Sequence, residues 1–154
     1  MATYSFKSVG QTKKQIEEEK IQASPIPYGI KTPVALGDNA IMQMNYSVED
    51  QLSDNLKNLL LTNWGERLGL YKFGANLKPL TTEFVAQEDF DNQAILRIKS
   101  AVETWMPYIE LEDFTSQIDR VDNKNTAVIK ITVSYNIPAL EVVNKRTQIV
   151  LYVI

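Results

Sequence analysis

Ala127-Val128-Ile129-Lys130-Ile131-Thr132-Val133-Ser134-Tyr135-Asn136-Ile137 decides how this chain folds. Ala127, Ile129, Ile131, Val133, Tyr135 and Ile137 alternate with Lys130, Thr132, Ser134 and Asn136. Six apolar positions in strict period two describe a strand with one buried and one wet face. Pro138 ends it, since proline supplies no ladder donor. Asp122-Asn123-Lys124-Asn125 marks a turn before it. Upstream, Ile109-Glu110-Leu111-Glu112-Asp113-Phe114 begins another strand with imperfect alternation. Downstream, Thr147 to Ile154 (TQIVLYVI) is a further strand, apolar nearly throughout.

Two helices precede this sheet. Ser47-Val48-Glu49-Asp50 opens the first. Ser47 is the capping candidate, and Asp50 sits near the positive helix end. Val48, Leu52, Leu56, Leu59 and Leu60 form one stripe over about four turns, and Gly65 is expected to stop the helix. The second spans about Asp89 to Trp105, with Ile95, Ile98, Val102 and Trp105 on one face, and Pro107 closes it. Residues 40–46 alternate as a short strand after the Gly37-Asp38-Asn39 turn. Earlier still, Ser24 to Pro33 holds three prolines and Gly29, the composition of an extended strap. Residues 11–22 carry only Ile16 and Ile21 as apolar groups. They read either as a solvated arm or as a short helix that docks on a partner. The expected organisation is an arm and strap over 1–45 and an α+β domain over 46–154. That domain is a small antiparallel sheet packed with two main helices.

Bulk properties narrow the chemistry. The chain has 154 residues, enough for one domain with its own core. Hydrophobic content of 44% and charged content of 23% are those of a folded globular protein. A net charge of −3, from 16 basic and 19 acidic residues, argues against a nucleic-acid partner. No run of 18 apolar residues exists, so no membrane span is expected. The sequence contains no His and no Cys. That removes Ser-His and Cys-His nucleophiles and structural zinc sites, and it suits folding in a reducing cytoplasm. No phosphate loop or GxGxxG fingerprint occurs, so no cofactor or metal is expected.

Between the helices lies Leu56 to Leu80, LKNLLLTNWGERLGLYKFGANLKPL. Gly65, Gly69 and Gly74 alternate with Trp64, Tyr71 and Phe73, so this is an ordered loop that packs on its own core or on a partner. The segment resembles the signature of the contractile-tail baseplate wedge (sheath-initiator) family. That family includes the gene-25-like baseplate protein of T-even-type phages and relatives in type VI secretion baseplates. The matching features are Leu56-Lys57-Asn58, the leucines 59–61, Thr62, Gly65-Glu66-Arg67 and Phe73-Gly74. Ile95 to Val102 resembles the family's second helix, and the C-terminal strands fit as well. In all, the resemblance covers Ser47 to Ile154. One departure stands out. The family's Glu-Pro-Arg after the second helix, which ties the subunit into the baseplate, is replaced here by Met106-Pro107-Tyr108.

The resemblance implies a structural subunit of a virion tail baseplate, assembled in the host cytoplasm in six copies. It would link other wedge proteins and tube-proximal baseplate proteins and template the first ring of tail sheath protein. The expected partner-binding residues are Trp64, Glu66, Arg67 and Tyr71 in the loop, Met106, Pro107 and Tyr108 after the second helix, and Ile149, Leu151 and Val153 on a sheet edge that accepts a neighbour's strand. Glu66-Arg67 reads equally as an intermolecular ion pair or a local clamp. Two other classes remain open. One is a carboxylate-based murein hydrolase using Glu66, Glu83, Glu88 or Asp89, with carboxyls about 5 Å or about 6.5–9.5 Å apart. The other is a free-standing adaptor module.

Overall fold

A computed structural model of the chain describes residues 26–37, 42–83, 87–120 and 127–153. The expected arm over 11–22, the turn residues Asp38 and Asn39, the first two residues of the strand expected over 40–46, and the turn over 122–125 lie outside the described residues.

The strand read from residues 127–137 is the centre of the molecule. It forms β4 (Ala127–Ile137), flanked by β3 (Glu110–Arg120) and β5 (Val142–Val153) in an antiparallel sheet of order β3-β4-β5. Ile129, Ile131, Val133, Tyr135 and Ile137 are all buried on one face, as their period-two spacing requires. Each such side chain contributes about 1.5–3 kcal/mol relative to an exposed one. The last strand begins five residues before Thr147. Pro138–Leu140 form a single 3₁₀ turn, Glu141 takes a left-handed conformation at its end, and Val142 pairs at once with Ile137. A bulge between Leu111 and Asp113 accounts for the imperfect alternation seen in β3.

Helices cover the inward face of the sheet. The first, α1 (Val48–Leu61), is preceded by Ser47 in extended geometry, but the Ser47 side chain makes no capping bond. Leu56, Leu59 and Leu60 are buried and Leu52 packs beside them, while Val48 is exposed at the helix start. The helix stops at Thr62, not at Gly65. Thr62 turns extended while its N–H and Oγ1 both donate to the Asn58 carbonyl, at 3.1 and 2.6 Å. A short helix, α2 (Leu80–Glu83), leads toward α3 (Gln87–Trp105). The buried stripe of α3 is Phe90, Ala94, Ile98, Ala101 and Val102, continued by Trp105. Ile95, expected on this stripe, is 41% exposed. It lies one position beyond Ala94, about 100° round the helix from the buried row.

A polar contact runs through the core. The Tyr135 hydroxyl donates to Ser53 Oγ at 3.1 Å and accepts from Thr147 Oγ1 at 3.5 Å, joining α1, β4 and β5. A fully buried tyrosine needs such partners.

The strap packs onto α1. Here β1 (Gly29–Ile30) pairs with β2 (Met44–Asn45), which is shorter than the strand expected over 40–46. The inward residue is the polar Asn45, with Met42 and Tyr46 exposed. The reason is a hydrogen-bond cluster on α1. Asn45 Nδ2 donates to Asp54 Oδ2 at 2.8 Å and to Gln51 Oε1 at 3.2 Å, and Thr32 N–H donates to Asp54 Oδ2 at 2.9 Å. Burial pushes the Asp54 carboxyl up, but the bonds from Asn45 and Thr32 and the charge of Lys57 outweigh it and hold its pKa below the ordinary value.

Candidate docking site

The loop after α1 keeps its shape through its own polar groups. Glu66 accepts from the Asn63 backbone N–H at 2.7 Å and from Asn63 Nδ2 at 2.8 Å. These bonds, side chain first, hold the Glu66 carboxyl below the ordinary range. Glu66 is therefore a clamp across the first turn of the loop. Arg67 sits over the Phe73 ring, 4.1 Å from its centroid, instead of pairing with Glu66. Phe73 in turn meets Trp105 edge to face, with centroids 5.2 Å apart. An arginine, a loop aromatic and the last residue of α3 thus form one stack.

The glycines do different jobs. Gly74 has φ +108, and a Cβ there would meet the backbone carbonyl of Thr62. Only glycine lets the chain return this closely to the end of α1. The return is fastened on both sides, by Ala75 N–H to Leu59 O at 3.1 Å and Asn76 N–H to Thr62 O at 3.2 Å. Trp64 Nε1 donates to Gly74 O at 3.1 Å, yet its ring is 49% exposed. Tyr71 is 71% exposed and flanks Gly65.

The loop and the segment after α3 meet at one cavity of about 630 Å³. Its walls carry Glu66, Arg67 and Phe73 from the loop, Trp105 from the end of α3, and Met106 and Tyr108 from beyond it. Asn55, Asn58 and Leu59 from α1 and Thr62 just past its end complete it. The three polar residues among them are not among the expected site residues. Their offsets of 3 and 7 put them on one helical face, and that was the available signal. Met106 is buried in the core, Tyr108 is half exposed, and Pro107 is exposed but does not line the cavity. Trp64 and Tyr71 also lie outside the cavity wall.

The third group of expected residues is placed differently. Ile149 and Leu151 are buried, pointing into the protein's own core. Val153 pairs with Ala127 at the end of the ladder. Among the described residues β5 pairs only with β4, so its other side is a free sheet edge. What this edge offers a neighbour is backbone N–H and C=O groups, together with the wet-face side chains Gln148 and Tyr152.

These features define a small α+β domain: a three-stranded antiparallel sheet roofed by helices, with a polar-aromatic cavity at one end and an open strand at its side. No family model matches the sequence, and no curated protein matches it. Solved structures do resemble it. A chain of the anti-feeding prophage baseplate, determined with sixfold symmetry, superposes with a TM-score of 0.56 at 16% identity, covering 70% of this chain and 82% of that one. A candidate tail lysozyme from Geobacter sulfurreducens gives a TM-score of 0.47 at 22% identity, covering 70% and 90%. At these identities the likeness to the baseplate chain is one of fold.

Proposed function

We propose that this protein is a structural wedge subunit of a contractile-tail baseplate, present in six copies and placed to template the first sheath ring. The observation that carries the reading is the shared fold with a chain of a sixfold-symmetrised baseplate. The Gly65-Glu66-Arg67 and Phe73-Gly74 loop supports it, being held rigid against α1 and α3. In this reading the cavity lined by Arg67, Met106 and Tyr108 receives another wedge or tube-proximal protein. The β5 edge takes a strand from the sheath protein.

The role proposed is non-catalytic. Glu66, the carboxylate nearest the family loop, is held ionised by Asn63. A glycosidase acid requires a carboxyl whose pKa is raised.

The edge can be tested without unfolding the domain. Gln148, Val150 and Tyr152 lie on the wet face, so converting all three to Lys preserves the core and opposes edge pairing. Particles carrying this variant should retain tube and baseplate but lack sheath. Normal sheath on such particles would refute the β5 assignment. Murein turnover by the purified protein, abolished by Glu66→Gln, would refute the structural role itself.

A further inference from the structure

The cavity between the loop, α1 and the end of α3 is rich in hydrogen-bond donors and poor in acceptors. Glu66 supplies the carboxylate on its wall, and both of its oxygens already accept from Asn63, Oε2 from the backbone N–H and Oε1 from the side-chain amide. Arg67 supplies the cation. It lies 4.1 Å from the centroid of the Phe73 ring and, among the described residues, its side chain forms no ion pair and no hydrogen bond. A ring face answers the charge of a guanidinium but gives its N–H donors no oxygen to meet. Asn55 and Asn58 are neighbours on the surface of α1, being three positions apart. Asn55 Oδ1 accepts from Gln51 Nε2 at 2.9 Å, which leaves its own Nδ2 to donate. The Asn58 amide and the Tyr108 hydroxyl make no side-chain hydrogen bond among the described residues.

A guanidinium, two amides and a phenol suit a group that accepts hydrogen bonds and donates none. A carboxylate is that group. The arginine fork matches it with two parallel bonds, and the amides and the hydroxyl add neutral ones. Glu66 opposes an incoming anion, but its own charge is already met by the two Asn63 bonds and eased by Lys78. The rest of the wall fits the carbon stem that brings the carboxylate in. Phe73 and Trp105 are half-buried beside the donors, and Leu59 and Met106 are buried behind them. A volume of about 630 Å³ encloses a short segment of chain and not a single atom group.

We propose, resting on the reading of this chain as a baseplate subunit, that the cavity captures an acidic side chain, Glu or Asp, of another baseplate protein. Arg67 is the residue that selects it. The Phe73 ring holds the guanidinium in place before the partner arrives, so little side-chain freedom is lost on docking. Asn55, Asn58 and Tyr108 complete the set of donors around the same carboxylate.

The test uses the full chain in purified baseplates. In competition with the wild type, Arg67→Gln should be incorporated about 30-fold less well or worse, while its urea midpoint as a free protein stays close to that of the wild type. Arg67→Lys keeps the charge without the fork and should fall between the two. That variant also gives a direct readout. A carbodiimide joins an amine to a carboxylate in contact with it and leaves arginine unreacted. Baseplates carrying Arg67→Lys should therefore gain a cross-link, absent from the wild type, between position 67 and a Glu or Asp of a different protein. Three results would overturn the capture of a carboxylate: normal incorporation of Arg67→Gln, a cross-link that reaches only carboxylates of the same chain, or a loss of assembly matched by an equal loss of stability, which would make Arg67 a loop clamp. Each of these leaves the baseplate reading standing. Absence of the wild-type protein from purified baseplates would remove that reading and the carboxylate partner with it.

Discussion

Replacing Gly74 with alanine isolates what holds the loop to the end of α1. Two effects act together. At φ +108 the residue lies in backbone space that L side chains rarely adopt, and holding alanine there costs about 1–3 kcal/mol. The new methyl also meets the Thr62 carbonyl, which is backbone and cannot swing aside as a flexible side chain would. Forcing that contact open costs about a further 1–3 kcal/mol. The sum, about 2–6 kcal/mol, corresponds to a fall of about 1–3 M in the urea midpoint for a slope near 2 kcal/mol/M. Gly69 supplies the control. Its φ is +80 and nothing lies within 4 Å of its would-be Cβ, so Gly69→Ala carries the conformational part alone, about 1–2 kcal/mol. Urea unfolding followed by tryptophan fluorescence reports on the site itself, since Trp64 bonds to Gly74 O and Trp105 packs on Phe73. Equal losses for the two variants, within about 0.5 kcal/mol, would show that the approach to Thr62 contributes nothing and would refute the reasoning.

Three further outcomes are expected. Asp54 titrates below its unfolded value, so its stabilisation is present above the unfolded pKa and disappears as pH falls through the folded one. The stability gap between the wild type and Asp54→Asn should therefore close below about pH 4, and a gap that persists in acid would remove Asp54 as the fastener of the strap. Met106→Ala should cost about 2–5 kcal/mol in chemical unfolding, since the side chain is buried. Tyr108→Ala should change stability by no more than about 0.5 kcal/mol yet weaken co-sedimentation with baseplates. The reverse pattern would place Tyr108 in the core and not at the docking cavity.

Periodicity carried the fold where a segment has one wet face. The alternation from Ala127 to Ile137 was enough to place β4, and the leucine stripe was enough to place α1. It did less well where small residues do the packing. Ala94 and Ala101 line the buried row of α3, and the larger Ile95 drew attention to the wrong face. The end of α1 was misread because glycine is the usual stop. Here the glycines serve loop geometry, and Thr62 stops the helix by extending. The start of β5 was hidden by Asn144-Lys145-Arg146, which looks like a polar link. Lys145 in fact reaches Glu49 at 2.6 Å, so the polar stretch is tied to α1 while the backbones of Lys145 and Arg146 stay in the ladder and Asn144 takes up the register shift. For the site, the loop and Met106 to Tyr108 were each legible singly. Their meeting at one cavity depends on how α1 and α3 cross, which no local pattern encodes. The burial of Ile149 and Leu151 likewise depends on which face of β5 the helices cover.

In the proposed role, that burial has a consequence for how docking can evolve. With Ile149 and Leu151 turned inward, the β5 edge shows a neighbour mostly a row of peptide groups, and every amino acid other than proline presents the same row. Recognition of that kind is indifferent to spelling. It depends on strand length, twist and freedom from obstruction, so substitutions can accumulate along the strand while the joint stays serviceable. Discrimination between right and wrong neighbours then has to come from elsewhere on the molecule. The cavity around Arg67 and Tyr108, where side-chain identity is exposed, is the place where a change of partner would leave its mark.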